Sequence, residues 1–265
     1  THMRDEQTKI FKSMDETFET AKTAQVRVLI SHHKCASPDV WGRSAETLAL
    51  IHGAQKSQEV ATDVYPYNAG STILEPEYVD ERIRIFISWS EPHPEMIGRD
   101  LSDIADDWGV SQKEAVERLK PGGGVYFSMD EEDVRRILSD PTSMIGSDGL
   151  PNDINPHPRL WGTFPRVLGH YCREEGLFSL ETAIHKMTGL TAAYFRISDR
   201  GFIRKGNFAD LVIFDEKKIL DLATYSNPKK IACGIDAVFV NGSLSWLDGA
   251  LTGARKGRFL KHSHR

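Results

Sequence analysis

Cysteine is scarce in this chain of 265 residues: Cys35, Cys172 and Cys233 stand far apart and form no Cys-x-x-Cys pair. A disulfide framework is excluded on that count and a reducing compartment is favoured. Long apolar runs are missing as well. No stretch approaches the roughly 18 residues that span a bilayer, and the N-terminus has no signal-peptide pattern, so the expectation is a soluble, cytoplasmic protein with no membrane partner. Excess positive charge is also lacking. With a net charge of −5, a pI near 6.1 and no block of Lys and Arg, there is no electrostatic reason to expect nucleic acid or a membrane surface, and a small polar or anionic molecule is left as the easier partner. The glycine run Gly122-Gly123-Gly124 lacks the context of a phosphate-binding loop and reads as a plain loop or a hinge.

What is present alternates. Residues 7–24 repeat apolar positions at helical spacing (Ile10, Phe11, Met14, Phe18, Ala21) and lead into a β-branched run at 26–31. Ser37-Pro38-Asp39 breaks the chain, a second helix is expected over 45–55, and residues 59–65 read as the next strand. Strand, helix, strand in parallel register is the repeat of an α/β barrel or a doubly wound sheet. Between about 76 and 128 the pattern changes to an apolar run at 83–89 and a capping-box signature, Ser111 to Glu114, which together are too long for an ordinary βα loop and read as an inserted subdomain able to cover a site. A short helix at 133–138 and a strand at 142–147 restore the alternation. Another helix starts at Ser179, and strands are expected over 203–215 and 237–243, the second ending in the hairpin turn Asn241-Gly242.

The chemistry-bearing residues cluster at strand ends. Asp148 follows the strand-like Ser143-Met144-Ile145-Gly146 and precedes a turn-forming glycine, so it is either a group presented at a barrel mouth or a turn residue. The strand at 26–31 runs into His32-His33-Lys34, and His2 lies near the start of the chain. Histidines at the ends of successive parallel strands are what a metal site on such a face requires. Alternate residues point to opposite faces, so a shift of one position exchanges His32 for His33, and Lys34 falls on the face of His32 while Cys35 points away.

Five segments, Thr1-His2-Met3-Arg4-Asp5-Glu6, Ile30-Ser31-His32-His33-Lys34, Asp63 to Thr72, Gly146 to Pro151 and Pro156 to Gly162, together resemble the N-acyl-D-amino-acid deacylases of the metal-dependent amidohydrolase superfamily. The resemblance runs from the first residue to about Gly257 and leans toward members acting on acidic D-amino acids. It implies the second half of a (β/α)8 TIM barrel over residues 1–202, interrupted by the insertion, followed by part of a small β-sandwich over 203–265. It further implies zinc-dependent hydrolysis of a linear amide to a carboxylate and a free D-amino acid. Such an amide needs a stronger nucleophile than bulk water, and a metal lowers the pKa of water from about 16 to about 7. By resemblance, His2 and His32 are zinc ligands, with His33 turned away. Asp148 is the general acid-base, and Lys34, Tyr65, Ser71 and Arg159 hold the substrate α-carboxylate.

Two family features are not found. Complete members carry a His-x-His pair near the N-terminus and a metal-binding cysteine, and here the only His-x-His is His262-Ser263-His264, expected to be a flexible tail. The implication is a chain without the family's front half and with a weakly held metal. Two rival readings follow: a non-catalytic fragment or pseudoenzyme that keeps the carboxylate-binding residues, and a hydrolase of cyclic amides.

Overall fold

The computed structural model describes residues 1–151 and 153–261, and the His262-Ser263-His264 segment lies outside the described residues. Helix α1 (Ile10–Ala24) buries Ile10, Met14, Phe18 and Ala21, one stripe at the 3.6-residue period, and Asp5 caps the turn before it by accepting from the backbone N–H groups of Gln7 and Lys9, both at 2.9 Å. Each such large side chain contributes about 1.5–3 kcal/mol on burial. The helix delivers the chain to β1 (Val28–Ile30), α2 (Ser44–Gln55) returns it, and β2 (Val60–Val64) pairs parallel to β1 with Val28 opposite Val60. A third parallel strand, β6 (Ser143–Ile145), lies on the other side of β2, preceded by α5 (Glu131–Ser139). Buried Asp133 on α5 accepts from the backbone N–H groups of Gly42 and Ser44 and fixes the start of α2 against α5.

Between β2 and α5 the chain makes a second, antiparallel sheet in the order β3 (Gly70–Ile73), β5 (Gly122–Tyr126), β4 (Ile85–Ser90), covered by α3 (Leu101–Trp108) and α4 (Gln112–Leu119). It has its own apolar core, with Leu74, Ile87, Leu101, Ile104, Val116 and Leu119 all at 0–1% exposure. Ser111 caps α4 by accepting from the backbone N–H of Glu114 at 3.2 Å, while the Glu114 carboxylate pairs with Arg118. The glycine run is no hinge. It is the start of the central strand β5, and a Cβ at Gly123 would sit 2.3 Å from the Trp89 indole nitrogen, so the glycines are there for close packing.

After β6 comes α6 (Arg159–Arg166), continued by a π-helical segment Val167–Glu174, then α7 (Leu180–Met187), whose Ser179 cap accepts from the Thr182 backbone N–H, and α8 (Gly189–Tyr194). A four-stranded antiparallel sheet follows: β7 (Leu211–Phe214), β8 (Ile235–Val240), β9 (Ser243–Leu247) and β10 (Ala250–Leu251). Asn241 (φ 50°) and Gly242 (φ 78°) form the β8–β9 turn with the two positive φ angles such a turn needs. The strand expected from 203 is shorter than its apolar content suggests, because Asn207 closes a turn onto the Arg204 carbonyl and Gly206 has φ 95°, so pairing starts only at Leu211. Among the described residues, no helix is long and apolar enough to cross a membrane.

Candidate metal and substrate site

The C-terminal ends of the three adjacent parallel strands carry the polar groups: His32 and Lys34 after β1, Tyr65 after β2, and Asp148 after β6. His2 reaches the same end by a different route. The Thr1 backbone amine donates to the Leu29 carbonyl, and the Ser31 N–H donates to the Thr1 carbonyl at 2.9 Å, the slanted pattern of a parallel pair on the free edge of β1. His2 therefore lies beside His32, with its Nδ1 3.0 Å from His32 Nε2 and the ring centroids 4.8 Å apart.

His32 faces His2 because the backbone turns sharply there. It has φ 46°, an uncommon conformation for a residue with a side chain. Asp63, on β2, holds that turn: its carboxylate accepts from the His32 N–H and its carbonyl from the His33 N–H at 2.7 Å. The same turn sends His33 into the core, 1% exposed, with Nε2 2.9 Å from the Thr47 hydroxyl, and burial pushes its pKa down to about 4. Cys35 is buried as well, its thiol pushed up to about 12 by burial. Lys34 does not reach the cleft by strand alternation, since β1 ends at Ile30 and the intervening turn breaks the pleat. Its ammonium is placed by Glu6, whose Oε2 lies 2.6 Å away.

Glu6 is the residue that motif reading passed over. It is 8% exposed, with Oε1 3.0 Å from His32 Nδ1. Burial alone would raise its carboxyl, but the Lys34 ammonium and His32 outweigh burial and bring it down to about 2. Burial lowers the Lys34 pKa against the pull of Glu6, and burial likewise lowers that of His2, favouring the neutral imidazole that a metal needs. His2, Glu6 and His32 bring ligand atoms within 4.8 Å of one another. Two nitrogens bound at about 2.0–2.1 Å to a tetrahedral ion lie about 3.3 Å apart, so the 3.0 Å between His2 Nδ1 and His32 Nε2 fits zinc. Glu6 and the Lys34 ammonium meet the opposite nitrogen of the His32 ring, at 3.0 and 2.7 Å, positions suited to orienting that ring rather than to sharing its ion.

Across from the histidines, Asp148 (φ 51°) pairs with Arg159, Oδ2 to Nη1 at 3.0 Å. Arg159 opens α6 and is 2% exposed, and its guanidinium lies 4.6 Å from the centre of the buried Tyr65 ring. Nη2 donates to the Ser71 carbonyl of β3 at 3.4 Å, and the Ser71 hydroxyl oxygen is buried. Gly70 leaves room for the Tyr65 hydroxyl, which would come within 3.2 Å of a Cβ there. His2, His32, Lys34, Tyr65, Ser71, Asp148 and Arg159, widely scattered in sequence, all line one cleft of about 910 Å³ between the parallel-strand ends and the antiparallel sheet.

A sequence model of the amidohydrolase family matches residues 103–245. This chain belongs to that family. Over 98% of its length the chain is 52% identical to a D-aminoacylase of Alcaligenes xylosoxydans xylosoxydans, covering 54% of that relative. The fold agrees. A crystal structure of a D-aminoacylase superposes with a TM-score of 0.95 at 53% identity, over 97% of this chain and 54% of that one. An N-acyl-D-glutamate deacylase from Bordetella bronchiseptica, solved with zinc and a phosphonate mimic of the tetrahedral intermediate, superposes with a TM-score of 0.90 at 45% identity, over 94% of this chain and 53% of that one. The chain thus spans about half the length of the relatives it matches.

Proposed function

We propose that this chain belongs to a zinc-dependent N-acyl-D-amino-acid deacylase, which cleaves the amide with water to give a carboxylate and a free D-amino acid. The observation that carries the reading is the convergence of two facing imidazoles, a carboxylate and a carboxylate-binding set of cations and hydroxyl on one cleft. A bound zinc ion supplies Lewis-acid polarisation of the scissile carbonyl and water of lowered pKa.

His2 and His32 would hold the ion; with the His32 proton on Nδ1, Glu6 accepts from it and keeps the ring aimed, while the Lys34 ammonium, 2.7 Å from the same nitrogen, donates to Glu6 and to the His32 carbonyl instead. The Asp148 carboxylate takes a proton from the attacking water and returns it to the leaving nitrogen. Arg159, Lys34, Tyr65 and the Ser71 hydroxyl bind the α-carboxylate, Arg159 with the fork geometry that suits two oxygens.

The three parallel strands belong, in this reading, to a (β/α)8 barrel within residues 1–202, with 76–128 as an inserted unit and 203–265 contributing to a β-sandwich. The separate apolar core around Leu101 and Leu119 supports the insertion. The free thiols of Cys35, Cys172 and Cys233 support a reducing, cytoplasmic setting.

The test is hydrolysis of N-acetyl-D-amino acids and their L-enantiomers by the protein that carries this chain, with zinc content measured on the same sample. D-selective hydrolysis that is lost on chelation and restored by zinc is expected. A zinc-loaded protein inert toward every acylated amino acid supports the pseudoenzyme reading instead, and one that opens only cyclic amides supports the other rival.

A further inference from the structure

The guanidinium that the reading above assigns to the substrate carboxylate sits on the first residue of a helix, and such a helix begins with backbone N–H groups that have no partner within it. At α6 the N–H of Arg159 is taken by a side chain two residues earlier, His157, whose Nδ1 accepts it at 3.0 Å. The other ring nitrogen, Nε2, lies 3.0 Å from the carbonyl of Ala69, one residue before β3. A backbone N–H only donates and a carbonyl only accepts, so the two contacts together admit a single state of the ring: neutral, with its proton on Nε2. His157 is 1% exposed, and its ring packs edge-on against Tyr67 at 5.0 Å and Tyr225 at 5.1 Å. Burial, then the charge of Arg159, lowers its pKa well below the ordinary value. No solvent reaches it to compete for either bond.

We propose that His157 is a positioning residue for substrate binding: through this one tautomer it joins the chain entering β3, which carries Ser71, to the first turn of α6, which carries Arg159, and so sets where the guanidinium meets the substrate carboxylate. The inference rests on the deacylase reading. His157 touches neither substrate nor the reacting atoms. A shift of about 1 Å in a positioning group costs about a hundredfold in rate.

Two substitutions divide the two bonds. His157→Asn puts an amide oxygen near the Nδ1 position and keeps the acceptor for Arg159, whereas His157→Gln puts an amide nitrogen near Nε2 and keeps only the donor to Ala69. The measurement is kcat/KM for an N-acetyl-D-amino acid and for its neutral α-carboxamide, with zinc content as a control. His157→Gln is expected to lower the acid-to-amide ratio about tenfold or more, and His157→Asn to hold it within about threefold. Equal loss on both substrates, a preserved ratio in His157→Gln, or a collapse in His157→Asn overturns the positioning role. A wild-type protein that does not distinguish acid from amide refutes the carboxylate reading of Arg159 and leaves the tautomer to be decided on its own. If the variants do not fold, nitrogen-15 spectra of the wild-type histidines decide that point: a neutral ring protonated at Nε2 from pH 5 to 9 is expected, and a cationic ring or an Nδ1 proton overturns it.

Discussion

The cleft has two halves that are built differently. On the histidine side, His2 is exposed, His32 is partly so, and the rings are aimed by a backbone turn at positive φ with Asp63 and Glu6 behind it. On the arginine side, Arg159, Tyr65 and His157 are each 1–3% exposed and locked to one another by ring contacts and bonds to backbone. The arginine side is therefore organised before anything binds, whereas the histidine side sets two ring nitrogens face to face, where the proposed zinc would bind. Asp148 links the halves: it pairs with Arg159, and its charge acts across the cleft on His2.

The largest break in that comparison comes at the joint. Asp148→Asn keeps the shape of the side chain but cannot take up a proton, so turnover of an N-acetyl-D-amino acid is expected to fall about 10²–10⁴-fold with zinc content unchanged. Near-normal activity in a zinc-loaded variant would make Asp148 a turn residue, as its φ of 51° and the following glycine also allow. Next is the arginine side alone. A charge-assisted hydrogen bond contributes about 1.5–3 kcal/mol, so Arg159→Ala is expected to reduce the preference for the α-carboxylate over the α-carboxamide roughly 10–150-fold. An unchanged preference would hand carboxylate recognition to Lys34.

A smaller effect belongs to the histidine side. Glu6→Gln retains an acceptor but loses the charge that faces Lys34 and His32, and loss of such an outer partner typically weakens metal binding about 10–100-fold. Zinc retention during dialysis against a graded chelator series measures it. Retention equal to wild type would show that the turn held by Asp63 and the contact with Lys34 are enough to place His32.

The difference between the halves also explains what the sequence could reveal. Asp148, Arg159, His2 and His32 stand inside contiguous motifs, so motif reading could nominate them. Glu6 stands in such a motif too, but its contact with His32 joins residues 26 apart and is visible only once α1 and β1 are placed. The choice between His32 and His33 depends on one φ angle that strand alternation does not contain. Helix α6 carries no helical signal in its sequence, because Gly162 and Pro165 are poor helix formers. Gly162 is required there by a neighbour, since a Cβ would lie 2.5 Å from the Tyr67 hydroxyl. Likewise, the glycine run of β5 has no local signal that separates a hinge from a close approach to Trp89.

The smallest effect on the site is expected from a charge buried outside both halves. Lys186 on α7 is 1% exposed, its ammonium donates to the Asp140 carbonyl, and burial pulls its pKa down to about 8 against the pull of the Asp140 carboxylate. The unfolded chain holds that proton up to about pH 10.4, so between pH 8 and that value it binds more protons than the native state, and stability rises with pH across the window. The gain from this group reaches up to about 3 kcal/mol. Cys35 acts in the opposite sense, because its folded pKa near 12 lies above the unfolded value and stability is lost as pH rises past about 8.5. The informative quantity is therefore the difference between wild type and Lys186→Met in urea midpoint from pH 7 to 10.5, which cancels Cys35 and leaves the lysine. The difference is expected to narrow or reverse in favour of wild type as pH rises, with zinc content and kcat/KM the same in both proteins. A difference independent of pH would mean that Lys186 stays charged in the native state, and a change in kcat/KM would show that the helix layer behind β6 is coupled to the cleft.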